Sequence, residues 1–229
     1  YMYYFDPDYV AEMSVPGFDG HIDIALFAGL MSKEDADFFK EVSAMSKERF
    51  TALTDLEKRH YTTLKQIRTE AKVINFAGVY GVGPPKLAKQ MGKSLEEATT
   101  LHTAYWERNI AVKKVAENTK VKLVGNQLWL LNPISGFYLY LKEEKDKFST
   151  LNQSSGVYVF DTWLKNVRKK FKPLGITIPF QYHDELMFCC RKELQDIANR
   201  LLQEAMDEAN AELQLNVTIK IDTAWGINY

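Results

Sequence analysis

Three polar residues, His183, Asp184 and Glu185, interrupt the apolar run FQYHDELMF at residues 180–188. Adjacent carboxylates repel each other unless water or a cation compensates their charge. A hairpin tip between two buried strands would expose the pair and hold it rigidly, and rigid carboxylates suit Mg²⁺, which prefers oxygen ligands. A hydrophilic turn without chemistry explains the same residues, so this run alone predicts only an exposed tip.

A second group of chemically active residues recurs at every fourth position of RTEAKVINFAGVYG: Arg68, Lys72, Phe76 and Tyr80. In a helix they form one stripe about 18 Å long, with two cations before two aromatic rings. A nucleoside triphosphate has the same polarity, because its phosphates bind Arg and Lys while its other end is an aromatic base. The alternative is an amphipathic helix with inward-packed aromatics, although Ile67, Ala71 and Ile74 already supply an apolar face.

The helices that must hold this stripe follow from periodicity and turn signals. Residues 22–80 have a mostly helical pattern, and GVGPP at 81–85 ends it because proline cannot continue a helix. Glycines here are expected to leave room for a base or backbone near the last aromatic of the stripe: Gly78, Gly81 and Gly83. Ser94 and Glu97 form a capping box that predicts another long helix, with Ile110 continuing its apolar face.

Strands enter in the second half of the chain. Gly-Asn and Asn-Pro turns divide residues 121–141 into strand-like pieces, and a helical pattern follows at 150–172. The remaining segments alternate as strands 176–182 and 186–190, a helix at 193–212 and a strand at 216–222. The predicted fold class is α+β, with a helical first part and a small antiparallel sheet backed by helices.

Composition limits the classes of function. The 229 residues are 46% hydrophobic and 26% charged, with a net charge of -1, so a nucleic-acid face must be a local patch. Cys189 and Cys190 are adjacent, which excludes a disulfide framework and predicts a reducing compartment such as the cytoplasm. Neither a membrane-spanning apolar stretch nor a signal peptide is recognisable.

The two motifs together resemble the family A DNA polymerases, which include DNA polymerase I and its bacteriophage relatives. The stripe, R-x-x-x-K-x-x-x-F-x-x-x-Y-G at 68–81, is similar to motif B of the fingers, and QYHDEL at 181–186 to motif C of the palm. GFDGH at 17–21 resembles the segment after motif A, and QSSG at 153–156 the glutamine motif. DTAWGINY at 222–229 resembles the C-terminal stretch of the family.

This resemblance implies roles for the stripe and the tip. Arg68 and Lys72 would contact the triphosphate of an incoming dNTP, Phe76 would lie against its sugar, and Tyr80 would close the pocket near the templating base. The tip would carry a metal-binding Asp184, with Glu185 beside it and His183 near the primer end. The resemblance also implies primer–template DNA contacts, two of them where the family has Arg and Asn: Gln153, Gln181, Lys145 and Ser149.

Motif A, with a second metal-binding Asp, is expected roughly ten residues before Tyr1. The resemblance therefore predicts a C-terminal portion that is inactive without a chain carrying motif A and the thumb, and two Mg²⁺ ions in the complete site. It predicts a palm-to-fingers segment at 1–20, fingers at 21–147 and palm at 148–229. Residues 30–60 resemble an extra helical segment of the kind found in phage enzymes.

Two alternatives stay open at the level of the sequence. A single-subunit phage-type RNA polymerase shares a similar motif B but would read HDS in place of HDE and lack Asn75 and Phe76. A non-catalytic nucleic-acid-binding subunit would need only a basic surface. Candidates for such a surface are Lys65, Lys86, Lys89, Lys93 and the run at 168–172.

Overall fold

The computed structural model describes residues 5–226, and the chain divides into two compact units. The first unit comprises Tyr1–Thr119 with Glu143–Ser149, and the second comprises Lys120–Lys142 with Thr150–Tyr229. The predicted boundary between fingers and palm stays a prediction, and the compact units differ from it by assigning residues 120–142 to the second unit and residues 148–149 to the first. Residues 227–229, which end the predicted C-terminal motif, lie outside the described residues, as do residues 1–4.

The first unit is helical. Its helices are α1 (Pro7–Met13), α2 (Gly20–Phe27), α3 (Lys33–Ser43), α4 (Lys47–Thr51), α5 (Asp55–Val79), α6 (Pro84–Met91), α7 (Leu95–Arg108) and α8 (Ile110–Asn118). Side-chain caps explain where three of them begin, since Ser32, Thr54 and Ser94 each form a capping box with the acidic residue three positions later. The predicted break after α5 is confirmed, and Pro84 occupies the first turn of α6.

The predicted long helix after Ser94 is interrupted at Asn109. The Asn109 side chain donates a hydrogen bond of 3.0 Å to the Tyr105 carbonyl, and its backbone leaves the helical region at φ -106 and ψ 43. Ile110 therefore begins a new helix and is 37% exposed, so it does not continue the apolar face of α7.

Helix α5 is the centre of the first unit. Helices α2, α3 and α7 pack around it, and Leu64, Ala71 and Ile74 of α5 are buried in the shared core. The crossing with α7 is close, because a Cβ added to Gly78 would lie 2.1 Å from the Tyr105 ring. Burial of these apolar side chains contributes about 25 cal/mol per Å² of apolar surface. It stabilises a long helix whose other face is polar.

The predicted extra segment at residues 30–60 packs on the first half of α5. The Phe39 ring stacks on Tyr61 with centroids 5.1 Å apart, and Phe38 contacts His60 at 5.1 Å. His60 Nε2 also lies 3.0 Å from the Asp35 carboxylate. The segment is therefore an integral part of the helical unit.

The second unit begins with a three-stranded antiparallel sheet. Its strands are β1 (Val121–Val124), β2 (Gln127–Leu131) and β3 (Tyr138–Leu141), in the order β1-β2-β3. Gly125 takes the left-handed backbone conformation at φ 60 in the first turn, where glycine has no steric penalty. Asn132 anchors the second turn by accepting from the Ile134 amide and donating to Ser154. The predicted strands at 121–141 are confirmed.

Two helices and a short hairpin complete this unit. They are α9 (Lys147–Phe171), which begins in the first unit, β4 (Phe180–Tyr182), β5 (Glu185–Met187) and α10 (Gln195–Glu212). Helices α9 and α10 share a core that includes Trp163, whose indole N–H donates 3.1 Å to the Leu202 carbonyl. The architecture is α+β, as predicted. Within residues 5–226, no helix is both long enough and apolar enough to cross a membrane.

Two details of the predicted palm sheet are wrong. The strands flanking the tip are shorter than predicted and are not buried, since Phe180 is 49% and Tyr182 60% exposed. Residues 216–222 form no strand. Instead the Asn210 side chain accepts from the Ile219 amide and donates to its carbonyl, both at 2.8 Å. This side chain satisfies the backbone groups that a neighbouring strand would otherwise pair.

Candidate active-site segments

The four residues of the predicted stripe lie on a solvent-exposed edge of α5, here called the α5 edge: Arg68, Lys72, Phe76 and Tyr80. Phe76 is 48% and Tyr80 46% exposed, whereas Ala71 and Ile74 on the apolar face are buried. Residues four positions apart share a helix face, so the order of cations and rings along the edge follows directly from the sequence. The aromatics do not pack inward, and the alternative of an ordinary amphipathic helix does not explain them.

Arg68 at the cationic end is held by an aspartate that is distant in sequence. Its Nη2 and Nε lie 2.7 Å and 2.8 Å from Asp19 Oδ2. Asp19 also caps α2, because its Oδ1 accepts from the amides of His21 and Ile22. Burial alone would raise the pKa of Asp19, but the hydrogen bonds from Arg68 and the two amides outweigh it and hold that pKa below its usual value. Asp19 is therefore a carboxylate at neutral pH.

A histidine lies beside the middle of the α5 edge. Asn75 Nδ2 donates to the Gly20 carbonyl and lies 2.9 Å from His21 Nδ1, and the His21 ring is 6.1 Å from the Phe76 ring. Burial lowers the pKa of His21, and Asp19 partly opposes this effect. The ring is thus neutral near pH 7, with Nδ1 accepting from Asn75 and the proton on Nε2.

A shallow groove of about 360 Å³ runs along the aromatic end of the α5 edge. It is lined by Val73, Phe76, Ala77, Tyr80, Val82 and Gln90. Lys72 Nζ lies 5.6 Å from the centre of the Phe76 ring, within range of a cation–π contact. One end of the edge is therefore cationic and the other is an apolar concave surface.

The three glycines near Tyr80 have structural roles that differ from the predicted one. The space beside Gly78 is filled by the Tyr105 ring and is not open to a ligand. Gly81 has φ 63, so it is required by the turn that follows α5. Gly83 is the N-cap of α6. The sequence could not distinguish these roles because Tyr105 is distant along the chain.

The predicted tip is a two-residue turn between β4 and β5, in which Tyr182 pairs with Glu185. His183 occupies the left-handed region at φ 52, which is uncommon for a residue with a Cβ. Its ring lies 4.3 Å from the Tyr182 ring. The turn and both carboxylates are exposed, as predicted for Asp184 and Glu185.

These carboxylates fit part of a magnesium site. Within the described ranges, the side chains of Asp184 and Glu185 form neither a hydrogen bond nor an ion pair, so their carboxylate oxygens are available to a cation. Oxygen donors are the ligands that Mg²⁺ prefers, and water and substrate phosphates complete its usual shell. Among residues 5–226, however, no group of three or more His, Cys, Asp or Glu side chains is placed to hold a metal. The hairpin could supply ligands but does not form a complete site.

The predicted DNA-contacting residues have different surroundings. Gln153 on α9 and Gln181 on β4 are exposed. Lys145 is exposed and paired with Glu143, whose hydrogen bond raises the pKa of the lysine. Ser149 is buried and donates 3.1 Å to the Asp146 carbonyl near the start of α9, which leaves little of its side chain for DNA. All four contacts stay predictions.

Two residues of the site, Asp19 and His21, are not among those that the sequence predicts. Both belong to the GFDGH segment, where Asp followed by Gly before a helical run is an N-cap signal. Their link to Arg68 and Asn75 depends on the packing of α2 against α5, which the sequence does not reveal. The α5 edge lies in the first unit and the β4–β5 hairpin in the second.

The sequence model of DNA polymerase family A matches residues 33–229, and the chain belongs to this family. The chain is 28% identical over 178 residues to DNA polymerase I of Caldicellulosiruptor bescii. This match covers 72% of this chain and 20% of that protein. It is 23% identical over 185 residues to the DNA-directed DNA polymerase of Escherichia phage T7, covering 70% of this chain and 26% of that protein.

A solved structure described as the POL domain of Pol1 from M. smegmatis, in complex with DNA primer-template and dNTP, has a similar fold. The TM-score is 0.51 at 19% identity, and the similarity covers 83% of this chain and 35% of that chain. The chain thus spans about a fifth to a quarter of the length of these two curated relatives.

Proposed function

We propose that the chain is the C-terminal fingers-and-palm part of a template-directed DNA polymerase, which transfers a nucleotidyl group from a dNTP to a primer 3′-hydroxyl. The observation that carries the proposal is the α5 edge, whose cations and exposed rings follow the order of phosphates, sugar and base. Membership of DNA polymerase family A favours DNA synthesis over the RNA polymerase alternative. The M. smegmatis complex supports primer-template DNA and dNTP as partners.

The phosphate end of the proposed site consists of Arg68 and Lys72. Asp19 occupies Nε and Nη2 of Arg68 and leaves other guanidinium N–H groups able to donate to phosphate oxygens. Arg68 can therefore bind a triphosphate without releasing Asp19, which fixes the guanidinium before the nucleotide arrives. Lys72 adds a positive charge one turn further along the helix.

The sugar and base would lie toward Phe76 and Tyr80. The exposed Phe76 ring is positioned by the neutral His21 ring and by Lys72. The apolar groove beyond it offers a surface for the base and for Tyr80 to close against. A phenyl ring has no hydrogen-bond donor, so it packs on a sugar without replacing a missing hydroxyl.

The carboxylate hairpin would supply the catalytic end of the site. Two Mg²⁺ ions, when bound, would stabilise the attacking and leaving oxygens of the transferred phosphoryl group. Asp184 would hold metal from the two-residue turn, Glu185 would lie beside it, and His183 would lie near the primer end. The second metal-binding carboxylate would come from a polymerase portion that carries motif A and the thumb, on the same or a separate chain.

The remaining assignments concern DNA and organisation. Gln153 and Gln181 would donate to minor-groove acceptors, which are nearly independent of sequence, and Lys145 and Ser149 would lie beside the duplex. Residues 1–20 would link palm to fingers, residues 21–147 would form the fingers, and residues 148–229 the palm. The helical segment at 30–60 resembles those of phage enzymes, and a phage-encoded enzyme would act in the cytoplasm of the bacterial host.

The test is primer extension by the 229-residue chain, with and without a second polypeptide that carries motif A and the thumb. We expect extension only when both are present, and a loss of about tenfold or more for Lys72→Ala through weaker use of dNTP. Lys40→Ala is the matched control, because Lys40 is exposed on α3.

Two results would contradict the proposal. Robust extension by the 229-residue chain alone would mean that Asp184 does not need a second carboxylate from elsewhere. If Lys72→Ala weakened duplex binding as much as dNTP use, the α5 edge would be a DNA-backbone surface. The non-catalytic nucleic-acid-binding alternative would then be the better account.

A further inference from the structure

Helix α2 is joined to α7 and α1 by a group of ionic contacts around Arg108. Arg108 lies in the last turn of α7, and its Nε and Nη2 donate hydrogen bonds of 2.9 Å and 2.8 Å to the two carboxylate oxygens of Asp23. The same Nη2 also donates to Glu12 of α1. Two parallel hydrogen bonds between a guanidinium and a carboxylate fix both the distance and the angle between the two side chains. Arg108 therefore constrains the orientation of α2 against α7.

This ion pair is sheltered from water. The side chains of Arg108 and Asp23 are only 20% and 17% exposed. The buried Tyr9 ring of α1 covers the pair, with its centre 4.1 Å from the guanidinium carbon, and its hydroxyl donates 3.1 Å to Asp23 Oδ2. Burial and the Asp23 carboxylate raise the pKa of Tyr9 above its usual value, so this hydroxyl keeps its proton. A sheltered pair is screened less than an exposed one, and it should hold α2 more firmly than a surface ion pair would.

Asp23 lies one helical turn after Asp19, the residue that holds Arg68. The Asp23 amide donates 2.9 Å to the Asp19 carbonyl, which is the first backbone hydrogen bond of α2. Between the two aspartates lies His21, whose amide is capped by Asp19. A single turn of α2 thus pairs with an arginine at each end, Arg68 of α5 through Asp19 and Arg108 of α7 through Asp23.

Apolar packing also holds α2, but it does so with less directional control. Ile22, Ile24 and Ala25 are buried in the core that α2 shares with α5 and α7. The hydrophobic effect is non-directional, whereas a bidentate ion pair has one favourable geometry. A misplacement of about 1 Å, even far from the reacting atoms, can weaken an enzyme site considerably. The position of Asp19 beside Arg68 should therefore depend on the second pair at the other end of the turn.

We propose that Arg108 is a positioning residue for the nucleotide-binding surface: by fixing Asp23, it holds the first turn of α2 where Asp19 pairs with Arg68. The inference rests on the proposed function of the α5 edge and adds to it a residue on a different helix. Arg108 acts through α2 and not through contact with the nucleotide.

Two measurements on the full chain test this role. One is the dissociation constant of dTTP, and the other is the NMR signal of the Arg68 side-chain Nε–H, which reports its hydrogen bond to Asp19. Arg108→Lys keeps the charge but cannot form two parallel hydrogen bonds, and Asp23→Asn removes the carboxylate. We expect each variant to raise the dissociation constant about fivefold and to shift the Arg68 signal toward that of an exposed arginine. The double variant should bind no more weakly than the single ones, because all three lose the same pair.

The matched control is Arg200→Lys. Arg200 forms an exposed ion pair with Glu204 on α10, so this variant also replaces a paired arginine but should change neither measurement. Circular dichroism and thermal melting establish that each variant is folded at the temperature of the titration.

Four results would overturn the proposal. Wild-type dTTP affinity in the folded Arg108→Lys and Asp23→Asn variants would mean that Arg108 does not position the site. Weaker binding with an unchanged Arg68 signal would mean that Arg108 does not act through Asp19. Loss of folding in both variants would make Arg108 a general stabilising residue. A wild-type chain that binds no dTTP would contradict the proposed function and this inference with it, and it is distinguishable because it appears before any variant is compared.

Discussion

The α5 edge and the β4–β5 hairpin differ in how their functional groups are held. Arg68 is fixed by Asp19, and the Phe76 ring lies beside His21, so contacts from a distant part of the sequence position the edge. Asp184 lies in a two-residue turn and Glu185 at the start of β5, and within the described chain neither carboxylate side chain forms an ion pair or a hydrogen bond.

Under the proposed function, this difference would separate the nucleotide-binding surface from the catalytic carboxylates. A preorganised cation on a rigid helix can bind a triphosphate without further ligands, because the entropic cost of ordering it is already met by folding. Two adjacent carboxylates repel each other until a cation arrives, and a divalent ion needs more ligands than they offer. The first unit should therefore bind nucleotide by itself, whereas the hairpin should act only within a larger site.

The largest effect is expected from Asp184→Asn, which separates the two regions most sharply. When the chain is combined with a polypeptide that carries motif A and the thumb, loss of this carboxylate should reduce primer extension by about 10³-fold or more. Nucleotide binding to the α5 edge should stay unchanged. Single-turnover extension and dNTP affinity are the two measurements. Asp161→Asn, at an exposed position of α9, is the control and should retain activity. Near-normal extension by Asp184→Asn would remove the hairpin from the catalytic site.

The reverse pattern is expected from Arg68→Ala. Removing the guanidinium should weaken use of dNTP by about tenfold to a hundredfold, on the order of 1.5–3 kcal/mol, because charge-assisted hydrogen bonds to phosphate are lost. Duplex binding should remain nearly intact. Arg59→Ala on the exposed first turns of the same helix serves as the control. An equal loss of DNA affinity would mean that the two regions do not divide their tasks as described.

A narrower effect is expected from Phe76→Tyr, which tests the middle of the α5 edge. The added hydroxyl can occupy the space of a missing 3′-hydroxyl, a difference of about 1–3 kcal/mol. We expect the wild-type enzyme to discriminate strongly against dideoxynucleotides and the variant to relax this by an order of magnitude or more. Competitive incorporation of matched deoxy- and dideoxynucleotides measures the ratio. If the ratio does not change, Phe76 does not face the sugar.

The smallest effect is expected from Asp19→Asn, which tests how the edge is held. Asparagine keeps an N-cap acceptor but loses the ion pair with Arg68, so the free energy of unfolding should fall by about 1 kcal/mol or less at neutral pH. Because folding lowers the pKa of Asp19, its contribution is present above the unfolded pKa and lost as pH falls through the folded value.

Denaturant unfolding at several pH values measures this effect. The stabilities of the wild type and of Asp19→Asn should converge in acid, and Asp37→Asn, at an exposed position of α3, is the control for removing a carboxylate from the unit. A constant difference across the whole pH range would mean that the charge of Asp19 does not hold Arg68.

Local signals in the sequence predicted much of the fold. The capping box of Ser94 and Glu97, the break before Pro84 and the four-residue spacing of the α5 edge all depend on neighbours within one or two turns. Periodicity also predicted the three strands at 121–141. Such features are readable because their causes lie close together along the chain.

Features that depend on distant contacts could not be read in this way. The role of Gly78 follows from Tyr105, and the role of Asp19 follows from Arg68 on another helix. The strand predicted at 216–222 is absent because Asn210 binds Ile219 directly. An apolar run interrupted by three polar residues indicates a hairpin at the tip, but such a run cannot reveal whether anything covers the strands.

Backbone amide NMR on the full chain can map where dNTP binds. We expect dTTP to perturb amides along residues 68–80 and at the start of α2, and to do so equally in the wild type and in Asp184→Asn. In Lys72→Ala, about tenfold more dTTP should be needed to produce the same perturbations. Perturbations confined to other parts of the chain, or none at saturating dTTP, would contradict the assignment of the α5 edge as the nucleotide-binding surface.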